Sequence, residues 1–115
     1  MKNLDFSVIA PYMTLLPAAV RMVLTIGLCA FVLASLLAVT VGSLRSRPRW
    51  KPLEFLLGFY VEFFRGTPLM VQLFIVYYGL PAFGIKLPPI PAAILTMGLN
   101  SGAYLAENMR AAILS

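Results

Sequence analysis

The run MVLTIGLCAFVLASLLAVTVGSL, residues 22–44, holds 23 consecutive positions without a charge. At 1.5 Å per residue, a helix of that length covers a hydrocarbon core of about 30 Å with some tilt to spare. Composition points the same way: 61% of the 115 residues are hydrophobic and 11% charged, against about half and a quarter in soluble domains. So few charges cannot keep the surface of a small globule wet. A secretory signal peptide fits poorly, because the run is too long, Pro11 and Pro17 precede it and no small-residue cleavage site follows. The run is read as the core of a first transmembrane helix, about 18–44.

Two further uncharged runs follow, 66–85 and 87–106, which place a second span at about 66–82 and a third at about 90–112. Between the first two spans lies a basic loop, 45–52, with Arg45, Arg47, Arg49 and Lys51, two prolines (Pro48, Pro52) to stop the helix, and Trp50 at headgroup depth. The positive-inside rule makes this loop cytoplasmic, so the N-terminus falls outside and the C-terminus inside. Six of the nine cations then lie inside, counting Arg65 and Arg110. Arg21, at the outer end of span one, reaches the headgroups by snorkelling.

Residues 53–65 mix apolar side chains with Glu54, Glu62 and Arg65 and precede Gly66-Thr67-Pro68. They read as an interfacial helix leading into the second span. From Thr67 to Tyr78 a helix rises only about 18 Å. It therefore either begins before Pro68 or crosses a shortened path lined by protein, and both readings stay open. The expectation is an all-α integral membrane protein, one domain over 1–115, with about three transmembrane helices and an interfacial entry helix.

The net charge of +5 does not indicate a nucleic-acid partner, because the basic residues sit between apolar runs and form no basic face. With no His and a single cysteine, Cys29, inside an apolar run, no metal site, disulfide or His-assisted catalysis is expected. No catalytic residue is assigned. Glu107 alone approaches what an intramembrane enzyme would need.

On span one, Ala30, Ala34, Ala38 and Gly42 recur every four residues, a small-residue stripe that either admits a partner helix or reflects the abundance of alanine in membrane helices. On span three, 100° steps from Thr96 place Arg110 near about −40°, Glu107 near about 20°, Asn100 near about 40° and Tyr104 near about 80°. Gly98 and Gly102 form a packing pair on the opposite side. Counted from Pro91, Asn100 lies about 14 Å deep, near the midplane. Thr96, Asn100, Tyr104 and Glu107 are the candidate pathway residues, although Asn100 could equally hydrogen-bond a neighbouring helix. Glu107 and Arg110 have the spacing of a structural ion pair, as do Glu62 and Arg65. The aromatics Phe59, Tyr60, Phe63, Phe64, Tyr77 and Tyr78 read as interfacial anchors, and Gln72 carries little information on its own.

Two stretches, YVEFFRGTPLMVQLFIVYYGLP (60–81) and NSGAYLAE (100–107), closely resemble the polar amino acid ABC importer permeases of the histidine, glutamine and cystine type. The similarity is strong over 55–113 and looser over 15–44. It implies a type I importer fold in a bacterial inner membrane. The implied partners are a second permease subunit, identical or not, ATPase subunits in the cytoplasm and an extracytoplasmic solute-binding protein. It further implies that Asn100, Tyr104 and Glu107 contact the charged groups of the solute. ATP would be bound by a partner subunit, because this sequence has no Gly-x-x-x-x-Gly-Lys-Ser/Thr loop. Members of the family continue into a cytoplasmic Glu-Ala-Ala…Gly loop and further spans, so the chain is expected to be the truncated, N-terminal part of a permease and not to couple to ATP hydrolysis alone. Arg21 and Asn108-Met109 depart from the family's usual residues. The alternative from the residues themselves is a small, non-transporting scaffold or regulator that uses the two small-residue faces to bind another membrane protein.

Overall fold

The computed structural model describes residues 3–47 and 49–115, and every regular element among them is helical. Pro48, one of the two expected helix stops, lies outside the described residues. Asp5 caps the first short turn, accepting from the Ser7 hydroxyl at 2.5 Å and the Ser7 amide at 3.0 Å. These two bonds, the hydroxyl's first, hold its carboxyl below the usual carboxylate range. Two 3-10 turns, Phe6–Val8 and Ala10–Leu15, then lead into helix α1, Leu16–Ser46.

Pro17 sits in the first turn of α1, where its missing N–H costs nothing. Thr25 and Thr40 turn their hydroxyls back onto the carbonyls of Arg21 and Leu36, at 2.8 and 2.7 Å, which hides a polar group that would otherwise face lipid. Arg45 occupies the last turn, where a cation complements the helix dipole. The helix therefore runs on through Ser46, and the expected loop 45–52 is shorter than predicted. Helix α2 already begins at Lys51, with Pro52 and Glu54 in its first turn and Arg65 in its last.

Helix α2, Lys51–Gly66, stops at Thr67, whose backbone is extended (φ −109°, ψ 137°) as the residue before a proline prefers. Helix α3, Leu69–Phe74, follows, then a π turn over Ile75–Gly79 and a 3-10 turn over Leu80–Phe83. Gly84 ends this segment with φ 84°, a left-handed conformation suited to glycine. Helix α4, Pro89–Leu114, begins on prolines that fit its first turn.

Helices α1 and α4 form the main contact of the fold, and they run parallel. Along their seam Gly98 meets Leu33, Gly102 meets Leu37, and Gly42 meets Ala106 and Met109, so the pairing advances in the same direction on both helices. A Cβ on Gly42 would stand 2.8 Å from the Met109 Cβ and 2.9 Å from the Ala106 carbonyl oxygen, closer than atoms tolerate. On Gly98 it would overlap the Leu33 side chain. The stripe of Ala30, Ala34, Ala38 and Gly42 is buried in this seam, so the partner helix it needs is α4 of the same chain.

Parallel packing has a topological consequence, because two helices that cross a bilayer in the same direction require the chain between them to return. The return is carried by α2 and the Leu69–Phe83 segment, which meet at a bend of 111°. The helix does not run through Pro68: the segment is broken there into two pieces, the second of the two arrangements that the sequence left open for a stretch too short to cross alone. By length and apolarity alone, Phe6–Ser46 qualifies as a span and the bent pair qualifies jointly, whereas α4 does not. Its polar face lowers its apolar content, and what α4 packs along is the apolar helix α1. The faces turned away from the seam are covered with exposed apolar side chains such as Val23, Leu28, Phe31 and Leu36, as a lipid-facing surface requires.

Candidate functional site

The bend at Gly66-Thr67-Pro68 frees backbone carbonyls at the end of α2, and in a bilayer no water is at hand to satisfy them. Four side chains do so instead. Thr67 Oγ1 donates back to the Phe63 carbonyl at 2.6 Å. Gln72 Nε2 donates to the carbonyls of Phe64 and Thr67, both at 3.0 Å. Asn100 Nδ2 reaches across from α4 to the Phe64 carbonyl and to Gln72 Oε1, both at 3.2 Å. The Tyr104 hydroxyl donates to the Arg65 carbonyl at 3.0 Å.

Asn100 and Tyr104 thus share one task, stitching α4 to the broken end of α2. Gln72 is the hub of this cluster and is only 2% exposed. Its signal in the sequence was a lone amide in an apolar run just past a Gly-Thr-Pro break, which is where orphaned carbonyls must be met. Tyr60, half-buried, extends the stitching on the other side by donating to the Leu99 carbonyl at 2.6 Å. Tyr60 also packs on Phe64, with ring centroids 5.1 Å apart. Tyr60 therefore joins α2 to α4, whereas the interfacial-anchor reading had it facing headgroups; the Phe64 ring packs within α2.

Thr96 does not reach the cluster. It is 0% exposed, and its hydroxyl returns to the Ala92 carbonyl of its own helix at 2.7 Å. Glu107 lies one turn beyond Tyr104 and holds two guanidinium groups, Arg110 at 2.5 Å and Arg45 at 2.8 Å. The first is the expected ion pair within α4. The second, from the last turn of α1, follows from the parallel seam and had no signature in local spacing.

The other expected pair does not form, since among the described residues Glu62 and Arg65 make no ion pair. The Arg65 guanidinium instead lies over the Tyr104 ring, 5.6 Å from its centroid. An apolar pocket between the α3 segment and the start of α4, lined by Met70, Leu73, Tyr77 and Ala92 among others, offers no charge to a polar solute. Among the described residues no three His, Cys, Asp or Glu side chains gather where they could hold a metal ion.

No protein-family model matches the chain. Curated proteins do. The L-cystine transport system permease protein TcyB of Bacillus subtilis (strain 168) is 38% identical over 101 residues, 88% of this chain and 43% of the relative. Over these residues the chain is a relative of the amino-acid ABC permeases. The arginine transport system permease protein ArtQ of the same organism and the glutamine transport system permease protein GlnP of Escherichia coli (strain K12) are each 36% identical, across 96% of this chain and 51% of their own length. Among solved structures, a chain of an amino acid ABC transporter crystallised with histidines superposes with a TM-score of 0.88 at 32% identity, over 98% of this chain and 52% of that one. The chain thus spans about half the length of the relatives it matches, and it has the fold of the corresponding half of that transporter chain.

Proposed function

We propose that this chain is part of the transmembrane permease subunit of an ATP-binding-cassette importer that moves polar amino acids across a bacterial inner membrane. The observation that carries this reading is the agreement in both sequence and fold with amino-acid permeases along nearly the whole chain. The solutes named for the relatives, cystine, arginine and glutamine, share an α-amino and an α-carboxylate group but not a net charge, which makes a polar amino acid the class of solute. The partners are a second permease subunit, identical or not, cytoplasmic ATPase subunits that bind the ATP, and an extracytoplasmic solute-binding protein. On this reading the chain itself is no enzyme.

The N-terminus lies outside and the C-terminus in the cytoplasm. Supporting this orientation, Arg45, Arg47, Arg49, Lys51 and Arg110 all belong to the end of the bundle where Arg45 pairs with Glu107. The scaffold reading loses its motive, because both small-residue faces are already packed against side chains of the same chain, Gly98 and Gly102 on Leu33 and Leu37 of α1 and Gly42 on Ala106 and Met109 of α4. The test is uptake by the full-length permease, reconstituted with its ATPase subunits and solute-binding protein and offered radiolabelled cystine, arginine, glutamine and histidine. ATP-dependent accumulation of at least one supports the assignment. An assembled complex that accumulates none refutes it.

A further inference from the structure

The uncharged run of α1 ends at Leu44, so the edge of the hydrocarbon core falls there, with the Arg45–Glu107 pair just beyond it. At this level a hollow of about 370 Å³ lies between the end of α1 and the first two turns of α2. Its lining combines two chemistries. Arg47, Arg49 and Trp50, all exposed, bring two guanidinium groups and an indole. Leu44, Leu53 and Leu57 bring apolar side chains.

Among the described residues neither Arg47 nor Arg49 is in an ion pair, although Glu54 shares the lining. At this end of the bundle Arg45, Arg47, Arg49, Lys51 and Arg110 outnumber Glu54, Glu62 and Glu107, and Glu107 is already held by Arg45 and Arg110. The hollow is therefore electropositive and its donors are open. Guanidinium forks match the oxygens of a phosphate, an indole settles at headgroup depth, and basic hollows between helices at this level take acidic headgroups. A free phosphate would need the cations alone. The three leucines beside them suit a ligand whose phosphate carries an apolar tail.

We propose that this hollow binds one acidic phospholipid, with its phosphodiester between Arg47 and Arg49 and the start of its acyl chains along Leu44, Leu53 and Leu57. The bound headgroup offsets the repulsion between the two arginines and braces the joint between α1 and α2. The site concerns the lipid around the permease, so it goes beyond the importer reading and is independent of which solute is carried.

The test uses the full-length permease assembled with its ATPase subunits in a neutral detergent. Mixed micelles supply phosphatidylglycerol or phosphatidylcholine, and native mass spectrometry gives the Kd of the first bound lipid. The variants are Arg47→Gln/Arg49→Gln and, matched in net charge, Arg21→Gln/Lys86→Gln at the opposite end of the bundle. One cation near the surface contributes about fivefold to binding of an acidic lipid, and two contribute about 25-fold. The expected result is that the parent prefers phosphatidylglycerol, that Arg47→Gln/Arg49→Gln loses about 25-fold for it, and that Arg21→Gln/Lys86→Gln binds as the parent does. Equal Kd values in the parent and in Arg47→Gln/Arg49→Gln would overturn the proposal; loss of the ATPase subunits from that variant would then show that the arginines dock a protein. An equal loss in both variants, the mark of general charge attraction, would overturn it as well. So would displacement of the lipid by inorganic phosphate but not by sodium chloride of equal ionic strength, which would assign the hollow to a free anion.

Discussion

Replacing Asn100 by leucine keeps the number and branching of the side-chain heavy atoms, at some added bulk, and removes the amide, so it probes the hydrogen bonds that tie α4 to the bend. Two bonds are lost, to the Phe64 carbonyl and to Gln72 Oε1, both at 3.2 Å and so at the long end of normal geometry. The Phe64 carbonyl keeps the Gln72 donor at 3.0 Å, and only Gln72 Oε1 is orphaned. Leaving one buried acceptor unmet costs about 1–3 kcal/mol, and cross-helix bonds in membranes average nearer about 0.6 kcal/mol. A loss of about 1–2 kcal/mol is therefore expected for Asn100→Leu. Gln72→Leu removes three bonds and strips the Thr67 carbonyl of its donor, so it should cost more. Because the two amides bond one another, the double variant should lose less than the singles together, with a coupling of about 0.6–1.7 kcal/mol. The assay is reversible unfolding of the full-length permease in mixed micelles titrated with SDS, alongside the Kd for solute. Additive losses would refute the shared cap, and an Asn100→Leu variant of parental stability whose solute Kd rises manyfold would show that the amide serves the solute instead.

The α1–α4 seam predicts a contrast between two glycines. Gly42→Ala places a methyl 2.9 Å from a backbone carbonyl and should cost about 1–3 kcal/mol by overpacking, whereas Gly58→Ala meets only the Arg45 guanidinium at 3.8 Å and should be neutral or stabilising in the same unfolding assay. At the charged end, Glu107→Gln leaves both Arg45 and Arg110 without a carboxylate and should destabilise by about 1–3 kcal/mol, more than Arg110→Gln or Arg45→Gln, each of which leaves one ion pair intact; equal losses for all three would contradict the shared role of Glu107. For topology, a cysteine at Arg49 in a Cys29→Ala background should react with an impermeant maleimide only from the cytoplasmic side of oriented vesicles, and one at Asn3 only from the outside.

The elements themselves were legible because each has a local cause. An uncharged run of bilayer length, prolines that open helices at Pro17, Pro52 and Pro89, and a Gly-Thr-Pro break needed nothing beyond neighbouring residues. The two-faced character of α4 was legible too, since it follows from helical periodicity. The spacing from Glu107 to Arg110 revealed an ion pair that exists, while the same spacing from Glu62 to Arg65 revealed one that does not. Identical local geometry has different outcomes because the Tyr104 ring, from a helix some forty residues on, competes for Arg65.

What the amino-acid sequence determined by itself is therefore whatever short-range sterics and periodicity decide: membrane residence, helix starts and stops, and which side chains share a face. Only the tertiary structure decided what those faces meet. It set α1 and α4 parallel, seating the small residues of each helix against side chains of the other and making the Pro68 break the bend in the chain that connects them. It also brought the freed carbonyls of α2 to Asn100 and Tyr104, because buried backbone groups in lipid must bond to whatever donor the fold delivers.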